Sequence, residues 1–126
     1  MKDQWKGNLS KDQLYVCHLG GTEPPFSGKY DKHFEPGHYA CAACGAELFK
    51  SDHNFNSGSG WPSFWDVARE GQLRLVEDRS HGMLRTEARC ATCDAHLGHV
   101  FDDGPAPTGQ RWCINSLALA FVPREA

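Results

Sequence analysis

Six cysteines carry most of the chemistry this sequence could do. Four stand in two tight pairs, Cys41/Cys44 in "CAAC" and Cys90/Cys93 in "CATC". A two-residue spacer lets one tight turn aim both sulfurs at a single ion. Two such turns brought together supply the four thiolates that zinc prefers in a closed structural site. Glycine directly after Cys44 suits such a turn. A redox-active pair is the rival reading, but it would occur once, at the start of a helix, and has no reason to repeat. Four protein ligands leave no open position for substrate or water, so the expected zinc is structural. The stretch between the pairs is longer than in a compact zinc ribbon, so it must loop out and return.

Cys17 and Cys113 remain. In "QRWCINSLALAF", strand alternation puts Arg111, Cys113 and Asn115 on one face and Trp112 and Ile114 on the other. A guanidinium beside a sulfur favours the nucleophilic thiolate. Asn115 adds a hydrogen-bonding group to the same face. A lone cysteine is often inert core filler, and the polar neighbours argue against that here. From Leu117 onward apolar residues occupy the face that held the polar trio. Either a bulge re-phases the strand there, or the face passes from an open site to a covered one. Cys17, late in a short helix, reads alone as an inert residue.

Two further clusters accompany the cysteines. "HLGHVFDDG" holds His96, His99, Asp102 and Asp103. A histidine can give a proton to a departing oxygen near neutral pH. The histidines could instead bind metal, but no second ligand set is apparent. The turn "DDGPAPTG" would fold this segment back onto the Cys113 strand as a hairpin and bring His99 near Cys113. "SGSGWPSFW" crowds aromatics behind glycines, which let backbone approach a ligand closely. Trp61 and Phe64 are candidates to line an apolar pocket, and Phe64 suits the core as well.

The elements that must position these groups are short. "SKDQLYVCHLGG" reads as one helix, with Ser10 as N-cap, Gln13 completing a capping box, and Gly20 and Gly21 as the stop. Strands are expected at "HYACAAC", "AELFK", "QLRLVEDR", "GMLRTEARC", "AHLGHVF" and, as one long strand, "RWCINSLALAFVP". Glycine- and proline-rich turns separate them. The class is mainly β, a compact antiparallel domain with a short N-terminal helix. We expect residues 1–9 to be a loose N-terminus and residues 10–126 to form one domain.

Composition bounds the function. The chain has 126 residues and a formal net charge of −3. A near-neutral balance argues against nucleic acid as a partner, which disfavours a zinc-ribbon nucleic-acid binder. No apolar run is long enough to span a membrane, and "MKDQWKGNLSKDQ" lacks the apolar segment of a signal peptide. The expected setting is the cytoplasm, where thiols stay reduced and cysteines more often bind metal or react. We expect a monomer. A zinc-stapled ligand-binding β domain without chemistry is the alternative to an enzyme. Cys113 discriminates between them, because a pure binding module has no use for a thiolate there.

"GGTEPPFSGKY", "CAACGAELF", "SGSGWPSFWD", "CATCDAHLGHVFDDGP" and "RWCINSLALAF", in that order, resemble the B-type methionine sulfoxide reductases over nearly the whole chain. The resemblance implies two antiparallel sheets in a β-tent-like arrangement and one structural zinc held by Cys41, Cys44, Cys90 and Cys93. It also implies reduction of the R epimer of methionine sulfoxide in oxidised proteins or peptides, with thioredoxin as reductant. It puts the nucleophile at Cys113. Arg111, Asn115, His96, His99 and Asp103 fall on the family's other site positions, with Trp61 facing the substrate methyl group. The sulfoxide oxygen would pass to Cys113 as a sulfenic acid, with His99, or a water held by it and Asp103, as proton donor. One position departs from the pattern. Many members carry a second, resolving cysteine where this chain has Ser59. Cys17 is then the candidate resolving thiol, closing a Cys17–Cys113 disulfide; direct reduction by an external thiol is the alternative.

Overall fold

The computed structural model describes residues 1–124. The domain boundary read from the sequence runs to 126, and residues 125 and 126 lie outside the described residues. Helix α1 spans Lys11–Cys17 and starts with the full capping box, Ser10 Oγ accepting from the Gln13 N–H and the Gln13 side chain accepting from the Ser10 N–H. Among the described residues nine short strands follow: β1 (Gly37–Cys41), β2 (Glu47–Lys50), β3 (Asn54–Phe55), β4 (Ser63–Phe64), β5 (Leu73–Asp78), β6 (Arg85–Cys90), β7 (His96–Phe101), β8 (Arg111–Ile114) and β9 (Leu119–Pro123). They form two antiparallel sheets. One has the order β2-β1-β9 and the other β3-β4-β8-β7-β6-β5.

The long C-terminal strand expected from alternation is two strands in two different sheets. Asn115 breaks the ladder and a 3-10 turn at Ser116–Ala118 carries the chain across. β8 therefore sits at the heart of the larger sheet and β9 pairs with β1 in the smaller one. The alternation of Leu117, Leu119 and Phe121 imitates a continuing strand. Leu117 instead sits half-buried in the 3-10 turn between buried Ser116 and Ala118, and only Leu119 and Phe121 belong to a strand, β9.

One core lies between the sheets. Tyr39, Leu48 and Phe49 come from the smaller sheet, Phe64, Leu97, Trp112 and Ile114 from the larger, and Val16 and Cys17 from α1. Phe49 stacks on Phe64 at 4.4 Å between centroids. Full burial of each such side chain stabilises by roughly 1.5–3 kcal/mol.

The N-terminus departs from the loose segment expected of its polar composition. Asp3–Asn8 form a 3-10 helix. Trp5 and Leu9 pack partly buried against the core. The Lys2 N–H donates to the Cys93 carbonyl, and Asn8 Nδ2 donates to the Ala43 carbonyl at 2.7 Å. Both acceptors belong to the cysteine turns, so these turns dock the first residues. Among the described residues no helix is long and apolar enough to cross a membrane.

Candidate active site

The two cysteine pairs converge. Cys41 ends β1 and Cys90 ends β6, so each pair caps a strand of a different sheet. The turns have the same build: the N–H of Gly45 bonds the Cys41 carbonyl, and that of Asp94 bonds the Cys90 carbonyl. Both fifth residues adopt positive φ, +81° at Gly45 and +63° at Asp94. Glycine does this freely. Asp94 does it as one of the few other residues that tolerate the conformation, with Arg74 and Arg89 paired to its carboxylate. The four sulfurs lie within 4.8 Å of one another, with Cys41–Cys93 and Cys44–Cys90 each at 3.6 Å. A tetrahedron with metal–sulfur bonds of about 2.3 Å has edges of roughly 3.8 Å. The donor set and its spacing therefore fit one tetrahedral metal ion that would staple the sheets together.

Cys113 lies at the centre of the larger sheet. Its register partners are His99 on β7 and Ser63 on β4, and His99 in turn pairs with Glu87 on β6. Directly opposed residues share a face, so Ser63, Cys113, His99 and Glu87 form one row across four strands. The expected hairpin thus brings His99 directly opposite Cys113. His96 joins this face through a register shift. Glu87 pairs with His99 but Arg89 pairs with His96, so β7 contributes one extra residue against β6. That bulge turns two histidines three apart to one side, which a regular strand would not do. Their rings meet edge-on at 5.5 Å.

The row opens into a cavity of about 230 Å³. Cys113, Arg111, Asn115, His99 and Trp61 all line it, joined by Thr22, Phe101 and Arg85. Arg111 Nη1 donates to the Cys113 sulfur at 2.8 Å. The guanidinium is held in place by a two-pronged bond to Asp103, at 2.8 and 3.1 Å, and by the Phe101 ring beneath it. Negative charge on the sulfur would meet a fixed cation. Asp103 is therefore bonded to Arg111 and not to His99. Asn115 has both ends engaged, Oδ1 accepting from the Glu23 N–H at 3.0 Å and Nδ2 donating to the Leu97 carbonyl at 2.9 Å. Trp61 donates its indole N–H to the Glu23 carbonyl at 3.0 Å. Ser59 and Ser63 place hydroxyls 3.5 and 3.8 Å from the Cys113 sulfur.

Each histidine has a carboxylate partner that sequence spacing does not show. His99 Nε2 lies 2.8 Å from Asp78 Oδ2, which Arg85 also contacts. Burial holds the His99 pKa below its ordinary value, the Asp78 bond pulling the other way. The bond from His99, then that from the Ser80 N–H, hold the Asp78 carboxyl far below the usual carboxylate range. His96 Nδ1 lies 2.5 Å from Glu87 Oε2, and Arg89 Nε is 3.0 Å from the same oxygen. Burial disfavours charge on Glu87, but the bonds from Arg89 and His96 outweigh it and lower its pKa. The only sequence hint of these partners is the alternation of β5 and β6, whose pairing puts Asp78, Arg85 and Glu87 on one face.

Four candidates lie off the cavity: His96, Asp103, Phe64 and Cys17. Phe64 is fully buried against Phe49 and belongs to the core beneath the site. Cys17 is 1% exposed, and burial pushes its thiol up to about 12. It lines a separate cavity with His96, Glu87 and Leu19.

The model of the SelR domain family matches residues 9–123. Among similar curated proteins, peptide methionine sulfoxide reductase MsrB of Pseudomonas aeruginosa strain UCBPP-PA14 is 53% identical over 124 residues, 98% of this chain and 94% of that one. The protein of the same name from Thioalkalivibrio sulfidiphilus is 59% identical over 113 residues, 90% and 82% of the two chains. That from Methanosarcina mazei is 53% identical over 124 residues, 98% and 89%.

Proposed function

The chain belongs to the SelR domain family and is an oxidoreductase acting on methionine sulfoxide, and we propose that Cys113 is the nucleophile of a reductase specific for the R epimer in oxidised proteins and peptides. The observation that carries this reading is the Cys113 sulfur in an aromatic-walled cavity, 2.8 Å from a guanidinium. Trp61 and Phe101 suit the methyl end of the side chain, and the polar groups of the sheet row suit the sulfoxide oxygen.

The Cys113 thiolate attacks the sulfoxide sulfur while the oxygen gains a proton. His99, tied to Asp78, or a water bonded to it, delivers that proton. The S–O oxygen ends on the enzyme. Methionine leaves and Cys113 becomes a sulfenic acid, oxidised by the two electrons the substrate gains. Asp103 serves by fixing Arg111, and Asn115 and His96 shape the floor and flank of the site. The Cys17 thiol then condenses with the sulfenic acid, releasing water and forming a disulfide. A thioredoxin dithiol reduces that disulfide and becomes oxidised itself. Since Cys17 is buried in α1, this step requires the end of the helix to leave its core site, releasing the bonds from the Gly20 and Gly21 N–H groups to the Val16 and Tyr15 carbonyls.

We assign residues 10–126 as one catalytic domain. Cys41, Cys44, Cys90 and Cys93 would hold one zinc, which supplies folding free energy and no reaction step. A cycle that depends on free thiols suits the cytoplasm.

Turnover of the separate R and S epimers of a peptide sulfoxide tests the reading. Reduction of the R epimer alone is expected. A folded, metal-loaded, reduced sample that reduces neither epimer overturns it.

A further inference from the structure

Glu23 belongs to the loop "GGTEPPF" and carries none of the chemistry above, yet it is 3% exposed. Three of its groups reach three different parts of the site. Its backbone N–H donates to Asn115 Oδ1 at 3.0 Å. Its carbonyl accepts from Trp61 Nε1, also at 3.0 Å. Its carboxylate Oε1 accepts from the Leu117 N–H at 2.9 Å. Oε2 is buried and has no hydrogen-bond partner among the described residues.

The first two bonds belong to the backbone and would hold wherever the loop is held. The third fixes where that is. Leu117 lies in the 3-10 turn that carries the chain from β8 to the other sheet, two residues beyond Asn115. The carboxylate thus anchors the loop to the same turn that carries Asn115, and the loop's peptide groups then set Trp61. Packing around the anchor is close. A Cβ at Gly28 would lie 2.2 Å from both Glu23 Oε2 and Ser116 Oγ, so that glycine is required for the carboxylate to lie where it does. Pro24 and Pro25 follow directly and restrict the backbone beyond it. A buried carboxylate with one oxygen unpaired is costly. It is an expensive way to hold a loop unless the loop's position matters.

We infer that Glu23 is a positioning residue for substrate: its carboxylate, through Leu117, sets the separation of Trp61 and Asn115 and so the width of the sulfoxide cavity. Thr22, beside it, lines that cavity directly. The inference rests on the reductase reading of the site. It predicts a loss in substrate binding more than in the chemical step, because Cys113, Arg111 and His99 are held by β7 and β8 without help from Glu23.

The test is steady-state reduction of a peptide methionine sulfoxide by the whole chain with its metal, comparing wild type with Glu23→Ala, Glu23→Asp and Glu23→Gln. Glu23→Gln retains an acceptor for the Leu117 N–H and should keep KM within about threefold of wild type. Glu23→Asp is one methylene too short to reach it, and Glu23→Ala has no acceptor. Both should raise KM on the order of tenfold with kcat within about twofold. If Glu23→Ala does not fold, Glu23→Asp alone decides. An aspartate variant with wild-type KM overturns the inference, as does a loss confined to kcat or a glutamine variant as impaired as aspartate. Absence of reduction by the wild type would instead remove the reductase reading itself.

Discussion

Ser59 Oγ lies 3.5 Å from the Cys113 sulfur, on the loop that also presents Trp61. A hydroxyl there can hydrogen-bond the sulfur but cannot close a disulfide. Replacing it by a thiol places a second sulfur at the same spot. Ser59→Cys in a Cys17→Ser background should therefore restore an internal disulfide, because the new thiol can trap the Cys113 sulfenic acid. Mass spectrometry after one turnover should show loss of two hydrogens in this double variant and a gain of one oxygen in Cys17→Ser alone. Retention of the oxygen in both would show that the loop cannot bring the two sulfurs together.

The Arg111 guanidinium lies on the sulfur of Cys113, the proposed nucleophile, and Asp103 and Phe101 hold it there. Arg111→Met keeps much of the side-chain length and removes the charge and the donor. Loss of one such preorganised donor costs on the order of 10²-fold in rate. The same drop is expected in single-turnover reduction, with slower alkylation of Cys113 by iodoacetamide. Cys113→Ser should abolish turnover altogether while leaving the four-cysteine site loaded. An Arg111→Met enzyme with unchanged alkylation and turnover would remove the arginine from the mechanism.

With His99 as the proposed proton donor, the Asp78–His99 pair is expected to make the reaction sensitive to pH. Activity that needs a proton on His99 falls as pH rises through its folded pKa. Burial lowers that pKa, and the Asp78 bond raises it. Asp78→Asn removes the raising contribution, so the basic limb of the single-turnover pH profile should move to lower pH. The stability effect has its own sign. The folded-state pKa of Asp78 is depressed, so its contribution is complete above the unfolded value of about 4 and fades as pH falls below it. The variant should thus lose stability at pH 7 and show a flatter acid denaturation below about pH 4. An unmoved basic limb would point to another proton donor.

These groups divide by how far along the chain their partners lie. The helix cap is local, with Ser10 and Gln13 three apart, and so it was legible. The opposition of His99 and Cys113 follows from one hairpin and was legible too. Asp78, Glu87 and Glu23 were not, because each meets its partner only after strands pair or a loop crosses the sheet. His96 shares a face with His99 through a bulge that no alternation rule exposes. The single C-terminal strand expected from alternation fails for the same reason. Residues 117–121 alternate as a strand does, but nothing local records that a turn at Ser116–Ala118 has moved them to the other sheet. The N-terminal residues look solvated because their two anchors, Lys2 to Cys93 and Asn8 to Ala43, are contacts at long range.

The four-cysteine site joins β1 to β6 and so the two sheets to each other. The zinc proposed there would supply folding free energy by holding the two sheets together. Cys90→Ser removes one of the four thiols at a fully buried position. It is expected to lose bound zinc and to lower the unfolding midpoint, and a strong chelator should do the same to the wild type. Thermal unfolding with metal analysis checks both. A Cys90→Ser protein that stays folded with full zinc content would show that the ligand set is misassigned.

Cys17 poses the sharpest demand on the fold, because the thiol proposed to resolve the sulfenic acid is 1% exposed and pushed up to about 12 by burial. Neither property suits a reagent in this conformation, since the attacking form is the thiolate. Both would be relieved if the end of α1 left the core. The helix has only seven residues. Short helices hold by packing more than by their own hydrogen bonds, and here the packing is on β7 and on the Ser116–Ala118 turn beside the site. Resolution should accordingly be slower than reduction, with local opening of α1 setting its rate. Stopped-flow mixing of reduced enzyme with substrate should show methionine release first and disulfide formation later. A substitution that loosens the helix, Val16→Ala, should speed the second phase and leave the first unchanged. Cys17→Ser should complete one turnover at the wild-type rate and then recycle poorly with thioredoxin. Recycling of that variant at the wild-type rate would mean that an external thiol reduces Cys113 directly.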